Sequence, residues 1–325
     1  MTRVTVVHNT EAGDDALDEK ELLSLLRRAG FRADYHSIES RSWMTALKDP
    51  ADLVVVAGGD GTIAKVARRL AGRSVPMAIL PAGTANNIAR TFGLCRDPRT
   101  LIAELAHARP TPVDVGVARG PTGERLFLEA AGVGVFARLM SEGRRSLDSD
   151  WLSGREQIAG AIDLLRRLVK SAAATACTIV ADGIAVSDKH LAVEVMNIRS
   201  IGPRITLAPD ADPRDGLFDV LTVPERDREE LERIVDAGTP GEVIVAAFTC
   251  TRARDVTVSW DRAPAHVDDD LWPESGGGEE AMRAAGPASM RATILPGALE
   301  VLLSATAFGH DAHGDEAPRR RARGR

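Results

Sequence analysis

The sequence has no long apolar run and no excess of positive charge. No segment approaches the roughly 20 apolar residues of a membrane-spanning helix, so any contact with lipid is expected to be peripheral. The 41 Lys and Arg residues against 47 Asp and Glu residues give a net charge of −6. This balance argues against a nucleic-acid partner.

Cysteine is scarce as well. The three cysteines, Cys95, Cys177 and Cys250, are odd in number and share no metal-type spacing. That pattern excludes a zinc motif and predicts reduced thiols in the cytoplasm. A hydrophobic fraction of 44% in 325 residues is ordinary for a globular protein and allows two compact domains.

Two glycine-rich turns, one helix apart, are the most informative feature that is present. They are Gly58–Thr62 and Gly83–Asn87, and each follows a short apolar run typical of a buried strand. Glycines let backbone N–H groups approach an anion closely, and a helix that begins at such a turn directs its positive end there. Thr62 and Thr84 stand where helix N-caps are expected. The pattern predicts two neighbouring phosphate sites.

Asp60 lies inside the first glycine turn, where its charge would repel a bare phosphate. An aspartate is expected at this position chiefly if a cation lies between the carboxylate and the phosphates. The sequence therefore predicts a nucleotide bound together with Mg²⁺.

Strand-like and helical segments alternate in the first third of the chain. The expected strands are Val4–Val7, Leu53–Val56 and Met77–Leu80, and the expected helices are Ala16–Arg28, Trp43–Leu47 and Ile63–Leu70. This βαβ order predicts an α/β nucleotide-binding domain over residues 1–117. Both glycine turns would lie at the carboxyl ends of strands, where open α/β sheets bind ligands.

The pattern changes after that point to short runs rich in β-branched residues. Strands are expected at Val113–Ala118, Leu126–Ala130, Thr178–Ala181, Ala192–Ile198, Phe218–Val223, Val256–Trp260, Ala292–Leu295 and Leu299–Leu303, with helices at Arg155–Lys170 and Arg228–Ala237. This spacing predicts a second, mostly antiparallel β-sandwich domain over residues 118–307. Residues 308–325 are expected to form a disordered basic tail.

The two glycine turns, together with the Asp210–Val220 stretch, resemble the diacylglycerol kinase catalytic-domain family, which includes bacterial lipid kinases and sphingoid-base kinases. NAD kinases are more distantly similar. The resemblance implies an ATP- and Mg²⁺-dependent enzyme that transfers the γ-phosphoryl group to a lipid hydroxyl. Diacylglycerol is the default acceptor, giving phosphatidic acid. We therefore expect a cytoplasmic protein for which peripheral contact with the inner membrane face is open, as is a homodimer. The lack of a transmembrane segment and of a nucleic-acid partner is expected from the composition alone.

The resemblance assigns roles to individual residues. The nucleotide-binding set is Asn9, Gly13, Gly58, Gly59, Asp60, Gly61, Thr62, Gly83, Thr84, Asn86 and Asn87. Asp60 is expected beside Mg²⁺, with Asp114 held near the metal through water. A structural Mg²⁺ site is implied at Asp212, Asp215 and the Leu217 carbonyl. In the Val267–Asp270 stretch, the resemblance makes Asp270 the base for the acceptor hydroxyl, so Asp60 and Asp270 form the expected catalytic pair.

Three positions depart from the family pattern. Asn87 replaces a usual aspartate, Lys65 replaces a usual glutamate, and Asp269-Asp270 replaces glycine-glutamate. Simpler alternatives exist as well: Asp212 and Asp215 could only cap a turn, and Asp268–Asp270 could be a solvated hairpin tip. For the whole protein, the alternatives are a kinase of a soluble substrate, similar to NAD kinase, and a non-catalytic protein that binds nucleotide or lipid.

Overall fold

A computed structural model of the chain describes residues 1–13, 17–120, 122–146, 154–238, 243–244, 248, 250–272 and 287–304. The predicted tail at 308–325 lies outside the described residues. The first part of the chain forms strands β1 (Thr2–His8), β2 (Phe31–Ser37), β3 (Leu53–Gly58) and β4 (Met77–Pro81). These four strands are parallel and lie in the order β2-β1-β3-β4.

Short helices connect and cover these parallel strands. They are α1 (Glu19–Arg28), α2 (Ser42–Ala46), α3 (Asp60–Leu70), α4 (Asn87–Thr91) and α5 (Pro98–Glu104). Every residue of β3 is buried, as expected for a strand covered on both faces of a parallel sheet. In α3, the apolar residues Ile63, Val66, Ala67 and Leu70 recur at helical spacing and pack into the same core.

The rest of the chain is dominated by antiparallel strands. These are β5 (Arg109–Gly120), β6 (Gly123–Phe127), β7 (Ala130–Gly134), β8 (Thr175–Ala181), β9 (Ile184–Met196), β10 (Ser200–Ile201), β11 (Ile205–Thr206), β12 (Phe218–Pro224), β13 (Val243–Ile244), β14 (Cys250–Ala253), β15 (Asp255–Trp260), β16 (Ala265–Val267), β17 (Asp270–Leu271) and β18 (Ala288–Leu303). Three helices accompany them: α6 (Val135–Ser146), α7 (Gly154–Ser171) and α8 (Arg228–Ala237).

Strand β18 joins the two parts of the molecule. It pairs antiparallel with β5 along most of its length and with β15, and its Val301 pairs with Met77 of β4. The carboxyl-terminal residues of β18 therefore belong to the core of the parallel sheet. A separate core lies between α6, α7, α8 and strands β7, β9 and β12, and a third lies within the sandwich.

The predicted fold class, an α/β nucleotide-binding part followed by a mostly antiparallel β-sandwich, is confirmed. Several boundaries differ. Strand β2 and helix α6 were not predicted, and α3 begins at Asp60 instead of Ile63. The two strands expected at Ala292–Leu295 and Leu299–Leu303 are one strand, whose register shifts between Leu295 and Leu299. Across the described ranges, no helix is long and apolar enough to span a bilayer.

Candidate functional site

The two glycine turns touch each other. A Cβ built on Gly83 would lie 2.5 Å from the Cα of Gly59, and one on Gly59 would lie 3.1 Å from the Cα of Gly83. Gly13, with a φ of +72°, packs so closely that a Cβ there would lie 2.2 Å from the Ala82 carbonyl oxygen. Only glycine permits such backbone approach, so three predicted nucleotide-binding glycines are brought into one place.

Asn9 lies beside the first glycine turn. Its backbone N–H donates to the Ala57 carbonyl oxygen at 2.8 Å, and its side-chain amide donates to Thr62 Oγ1 at 3.3 Å. Thr62 is in the first turn of α3, whose N-cap residue is Gly59. The expected N-cap role of Thr62 is therefore wrong, because the helix begins three residues earlier than its apolar spacing suggested.

Asp60 lies in α3 but caps the N-terminus of α4. Its carboxylate oxygens accept hydrogen bonds from the backbone N–H groups of Asn87 and Ile88, both at 2.9 Å. The N-cap position of α4 is taken by Asn86, which has a φ of +54° and makes no side-chain cap bond. The N-cap expected at Thr84 is therefore also wrong: the N–H groups at the start of α4 bind the Asp60 carboxylate instead.

Asp60 is part of an acidic group in which Glu129 is buried and Asp60 and Asp269 are half-buried. Burial is the main reason that its pKa is raised to about 6, and the nearby Asp269 carboxylate adds to the shift. Glu129 is 1% exposed, and burial together with the charges of Asp60 and Asp269 raises its pKa well above the usual value. Neither carboxylate oxygen of Glu129 has a hydrogen-bond partner among the described residues.

The Asp268–Asp270 segment approaches this acidic group, but its three carboxylates have different surroundings. Asp268 is buried and accepts hydrogen bonds from the backbone N–H groups of Leu128 and Glu129 and from Arg68, the last at 2.6 Å. These bonds fix the segment to α3 and to the corner between β6 and β7. Asp268 therefore has a structural role.

Asp269 and Asp270 face different groups. Asp269 lies over the first glycine turn, since a Cβ on Gly61 would be 3.1 Å from its Oδ2 atom. Asp270 is directed at basic side chains, 3.6 Å from Arg68 and 3.8 Å from Arg125. The structure therefore places Asp269, and not the predicted Asp270, beside the nucleotide turns. The hairpin is not a purely solvated tip.

A cavity of about 600 Å³ opens beside the second glycine turn. Thr84, Ala85 and Asp269 line one side of it. The remaining wall comes from α6, from α7 and from the β10–β11 turn, and consists of Leu139, Met140, Gly143, Gln157, Ile158, Ala161, Gly202 and Pro203. The wall is mostly apolar, and a carboxylate stands where the cavity meets the glycine turns.

Asp114 does not share that cavity. Its carboxylate oxygens accept hydrogen bonds from Gly216 N–H at 2.7 Å and Gly297 N–H at 2.8 Å. With Asp215 it lines a second cavity of about 660 Å³. The structure therefore groups Asp114 with the predicted Asp212–Leu217 metal site and not with Asp60.

The carboxylates at that second site are already paired. Asp212 accepts two hydrogen bonds from Arg214, at 2.7 and 2.8 Å, which lower the pKa of Asp212. Asp215 accepts from Leu217 N–H at 2.9 Å and forms an ion pair with Arg252. This arrangement matches a closed turn better than an open cation site.

A buried ion pair supports the Asp268–Asp270 segment from below. His266 and Glu194 are both fully buried and lie 2.8 Å apart, while the other ring nitrogen of His266 lies 2.8 Å from the Asp268 carbonyl oxygen. Burial alone would lower the pKa of His266, but the Glu194 carboxylate outweighs it and the pKa is raised. The sequence analysis did not identify this pair or Glu129. Glu129 could have been found as the single charged residue within the apolar run Leu126–Gly134.

Comparisons with known proteins agree with this architecture. Residues 3–118 match the diacylglycerol kinase catalytic domain, and residues 148–303 match the YegS C-terminal NAD kinase beta sandwich-like domain. A diacylglycerol kinase of Mycobacterium tuberculosis (strain ATCC 25618 / H37Rv) is 29% identical over 262 residues, which cover 79% of this chain and 78% of that protein. A YegS-like lipid kinase of Pseudomonas aeruginosa (strain UCBPP-PA14) is 30% identical over 228 residues, covering 67% and 71%.

Solved structures show the same fold. The crystal structure of a diacylglycerol kinase from Bacillus anthracis str. Sterne superposes with a TM-score of 0.65 at 17% identity, covering 94% of this chain and 98% of that one. Yeast NADH kinase complexed with NADH superposes with a TM-score of 0.51 at 8% identity, covering 98% and 90%. The chain belongs to the diacylglycerol kinase catalytic-domain family of lipid kinases.

Proposed function

We propose that this protein transfers the γ-phosphoryl group of ATP to the hydroxyl of a membrane lipid, with diacylglycerol as the default acceptor and phosphatidic acid as the product. The observation that carries the proposal is the largely apolar cavity that ends at Asp269 and the second glycine turn. Such a cavity suits acyl chains, whereas a soluble dinucleotide would need polar groups along the wall. The wider kinase assignment follows from the family.

The triphosphate would lie over the adjoining glycine turns. The close contact between Gly59 and Gly83 brings the backbones of the two turns together. The N-terminus of α3, which is the positive end of its helix dipole, lies at the same point. Phosphoryl transfer requires mainly positioning and charge neutralisation, which backbone N–H groups and a helix terminus provide.

The acidic group beside these turns fits Mg²⁺. Asp60, Glu129 and Asp269 would together repel a bare triphosphate. Burial, and to a smaller extent repulsion among these carboxylates, raises the pKa of both Asp60 and Glu129. Asp60 and Asp269 would hold Mg²⁺ beside the glycine turns, where its positive charge would neutralise the phosphates. In the part of the chain that the structure describes, no three His, Cys, Asp or Glu side chains form a metal cage by themselves. A cation would therefore take its remaining ligands from the phosphates and water.

Asp269 is the residue that we assign to the acceptor hydroxyl, in place of Asp270. It lies between the apolar cavity and Gly61 of the first turn, so a hydroxyl entering from the cavity would meet its carboxylate next to the phosphates. There the carboxylate would accept the hydroxyl proton or orient the hydroxyl for attack. Asp270 instead pairs with Arg68 and Arg125.

The test is lipid phosphorylation by D268N, D269N and D270N in mixed micelles containing diacylglycerol, with ATP affinity and thermal unfolding measured separately. D269N should lose roughly 10²- to 10⁴-fold in turnover with ATP affinity little changed, because the substitution removes only the basic charge. D268N should instead lower the unfolding temperature, since three hydrogen bonds depend on its charge.

D270N is the matched control, one residue along the same hairpin, and should retain most of the turnover. If D270N is inactive while D269N stays active, Asp270 and not Asp269 acts on the acceptor hydroxyl. If neither variant affects lipid phosphorylation, the acceptor hydroxyl is bound elsewhere.

A further inference from the structure

Glu129 is a buried acid whose carboxylate makes no hydrogen bond of ordinary geometry in the described part of the chain. It lies at the corner between β6 and β7, where its backbone is well bonded: its N–H donates to Asp268 at 2.8 Å and its carbonyl accepts from Asn197 N–H at 2.8 Å. Its side chain is 1% exposed, yet both carboxylate oxygens lack a hydrogen-bond partner among the described residues. A buried carboxyl left in this state is costly unless something binds it.

The groups around Glu129 are negative or neutral. Burial raises the pKa of Glu129 most, Asp60 and Asp269 are the carboxylates that add most to this rise, and the Asn87 side-chain amide lies near enough to lower the pKa, as the smallest of these effects. Asn87 is also incompletely bonded: its side-chain amide donates to the Gly202 carbonyl at 2.9 Å, but its Oδ1 atom has no partner in the described part of the chain. Three buried oxygens, two of Glu129 and one of Asn87, therefore lie near Asp60 without a hydrogen bond of ordinary geometry.

This arrangement has the chemistry of a site for a hard cation. Mg²⁺ and Mn²⁺ are bound by carboxylate and amide oxygens, with one or two carboxylates sufficing when a nucleotide supplies phosphate oxygens. The guanidinium of Arg68 bonds to Asp268 Oδ2, while the Glu129 backbone N–H bonds to Oδ1 of the same carboxylate. We propose that Glu129 is a ligand of the divalent cation that accompanies the nucleotide, with Asp60 and Asp269 as neighbouring carboxylates. The inference rests on the proposed function only in placing the nucleotide at the glycine turns.

The alternative is that Glu129 holds a proton and binds no cation. Two buried carboxyl groups can share one proton and then need no cation. The two cases differ in a measurable way, since a shared proton gives Glu129 no part in metal affinity, whereas a ligand role makes the affinity depend on its charge.

The experiment measures Mn²⁺ binding to the full chain, by the electron paramagnetic resonance signal of free Mn²⁺, with and without a non-hydrolysable ATP analogue. E129Q should weaken Mn²⁺ binding by about tenfold or more, because affinity depends on the number of charged ligands. E124Q is the matched control: Glu124 is an exposed glutamate on β6 that pairs with Arg119 at 2.7 Å, and its loss should leave Mn²⁺ affinity unchanged.

Moving the negative charge from residue 129 to residue 87 distinguishes a loss of a metal ligand from a change in the shape of the site. Asn87 adjoins Glu129, so the double variant E129Q/N87D keeps the number of carboxylates in the site and should recover most of the lost Mn²⁺ affinity. Thermal unfolding gives a second readout. E129Q should be at least as stable as the parent without cation, because it removes a buried charge, but Mn²⁺ should raise its unfolding temperature less.

An unchanged Mn²⁺ affinity in E129Q would overturn the proposal and favour the shared proton. The proposal would also be overturned if E129Q lost Mn²⁺ affinity together with secondary structure and the double variant E129Q/N87D did not recover that affinity. The outcome is independent of the acceptor: if E129Q loses Mn²⁺ affinity but no lipid is phosphorylated by the parent, only the proposed function fails. If lipid is phosphorylated by E129Q with the parent's Mg²⁺ requirement, only this inference fails.

Discussion

At the scale of single residues, Asp60 has two opposing effects on stability. Its carboxylate caps α4 by accepting hydrogen bonds from Asn87 and Ile88, which stabilises the second glycine turn. It is also half-buried, and this loss of contact with water disfavours its charge. A residue placed in this way stabilises the local geometry of a site while making that site unfavourable without a bound cation.

The raised pKa of Asp60 predicts a pH dependence of stability. The folded protein holds the Asp60 proton up to a pKa of about 6, whereas an unfolded aspartate releases it near 4. Stability without divalent cations should therefore fall between about pH 4 and pH 6 and level off above, by up to roughly 3 kcal/mol. D60N should lack this part of the profile.

Urea unfolding at pH 4.5 and 7.5, with a chelator present, measures how the free energy of unfolding changes with pH in the parent protein and in D60N. The exposed Asp52, which bonds to the backbone N–H of Arg3, gives the control D52N. Parallel pH profiles for D60N and the parent protein would show that Asp60 does not carry a raised pKa in solution.

At the scale of secondary-structure elements, helices α6 and α7 form most of the apolar cavity that we propose as the acceptor site. Leu139 and Met140 of α6 line it together with Ile158 and Ala161 of α7. Ala161 is half-buried and small, so the width of the cavity depends on this position.

Filling the cavity should affect the lipid and not the nucleotide. A161F puts an aromatic ring into the space and should raise the KM for diacylglycerol by about tenfold, while the KM for ATP stays within about twofold. A161S, which adds one oxygen without filling the cavity, is the control. Steady-state kinetics in mixed micelles would contradict the cavity assignment if A161F changed both constants equally or neither.

The same scale shows what sequence patterns can predict. The strands β1, β3 and β4 and the helices α7 and α8 were predicted because their apolar spacing is a local property. The contact between Gly59 and Gly83 followed from placing both turns at carboxyl ends of parallel strands. Strand β2 was not predicted, because its burial is mixed and alternates poorly.

The rest of the site depends on distant contacts. Asp269 and Glu129 are 140 residues apart along the chain and meet only because β16 pairs with β7. The register of that pairing decides which of three consecutive aspartates reaches the glycine turns, and no local pattern encodes it. The cap on α4 was also missed, since it comes from Asp60, 27 residues earlier.

At the scale of the whole molecule, polar contacts around the site connect the parallel sheet to the sandwich. Arg68 of α3 binds Asp268, Arg204 donates to the Thr84 carbonyl at 2.7 Å, and Asn87 donates to the Gly202 carbonyl. One continuous path of paired strands runs from β2 to β17. The nucleotide turns come from one part of the chain and the acceptor cavity mostly from the other, so phosphoryl transfer would depend on both parts together.

The central claim is that the acceptor is a lipid alcohol. The measurement that tests it most directly is a competition in one reaction containing Mg²⁺, ATP labelled at the γ-phosphate, diacylglycerol in mixed micelles, and NAD. Our account predicts that the label enters the lipid phase as phosphatidic acid, that NAD stays unlabelled, and that D269N abolishes the transfer. Label in NAD alone, or ATP binding without transfer to either acceptor, would contradict the account.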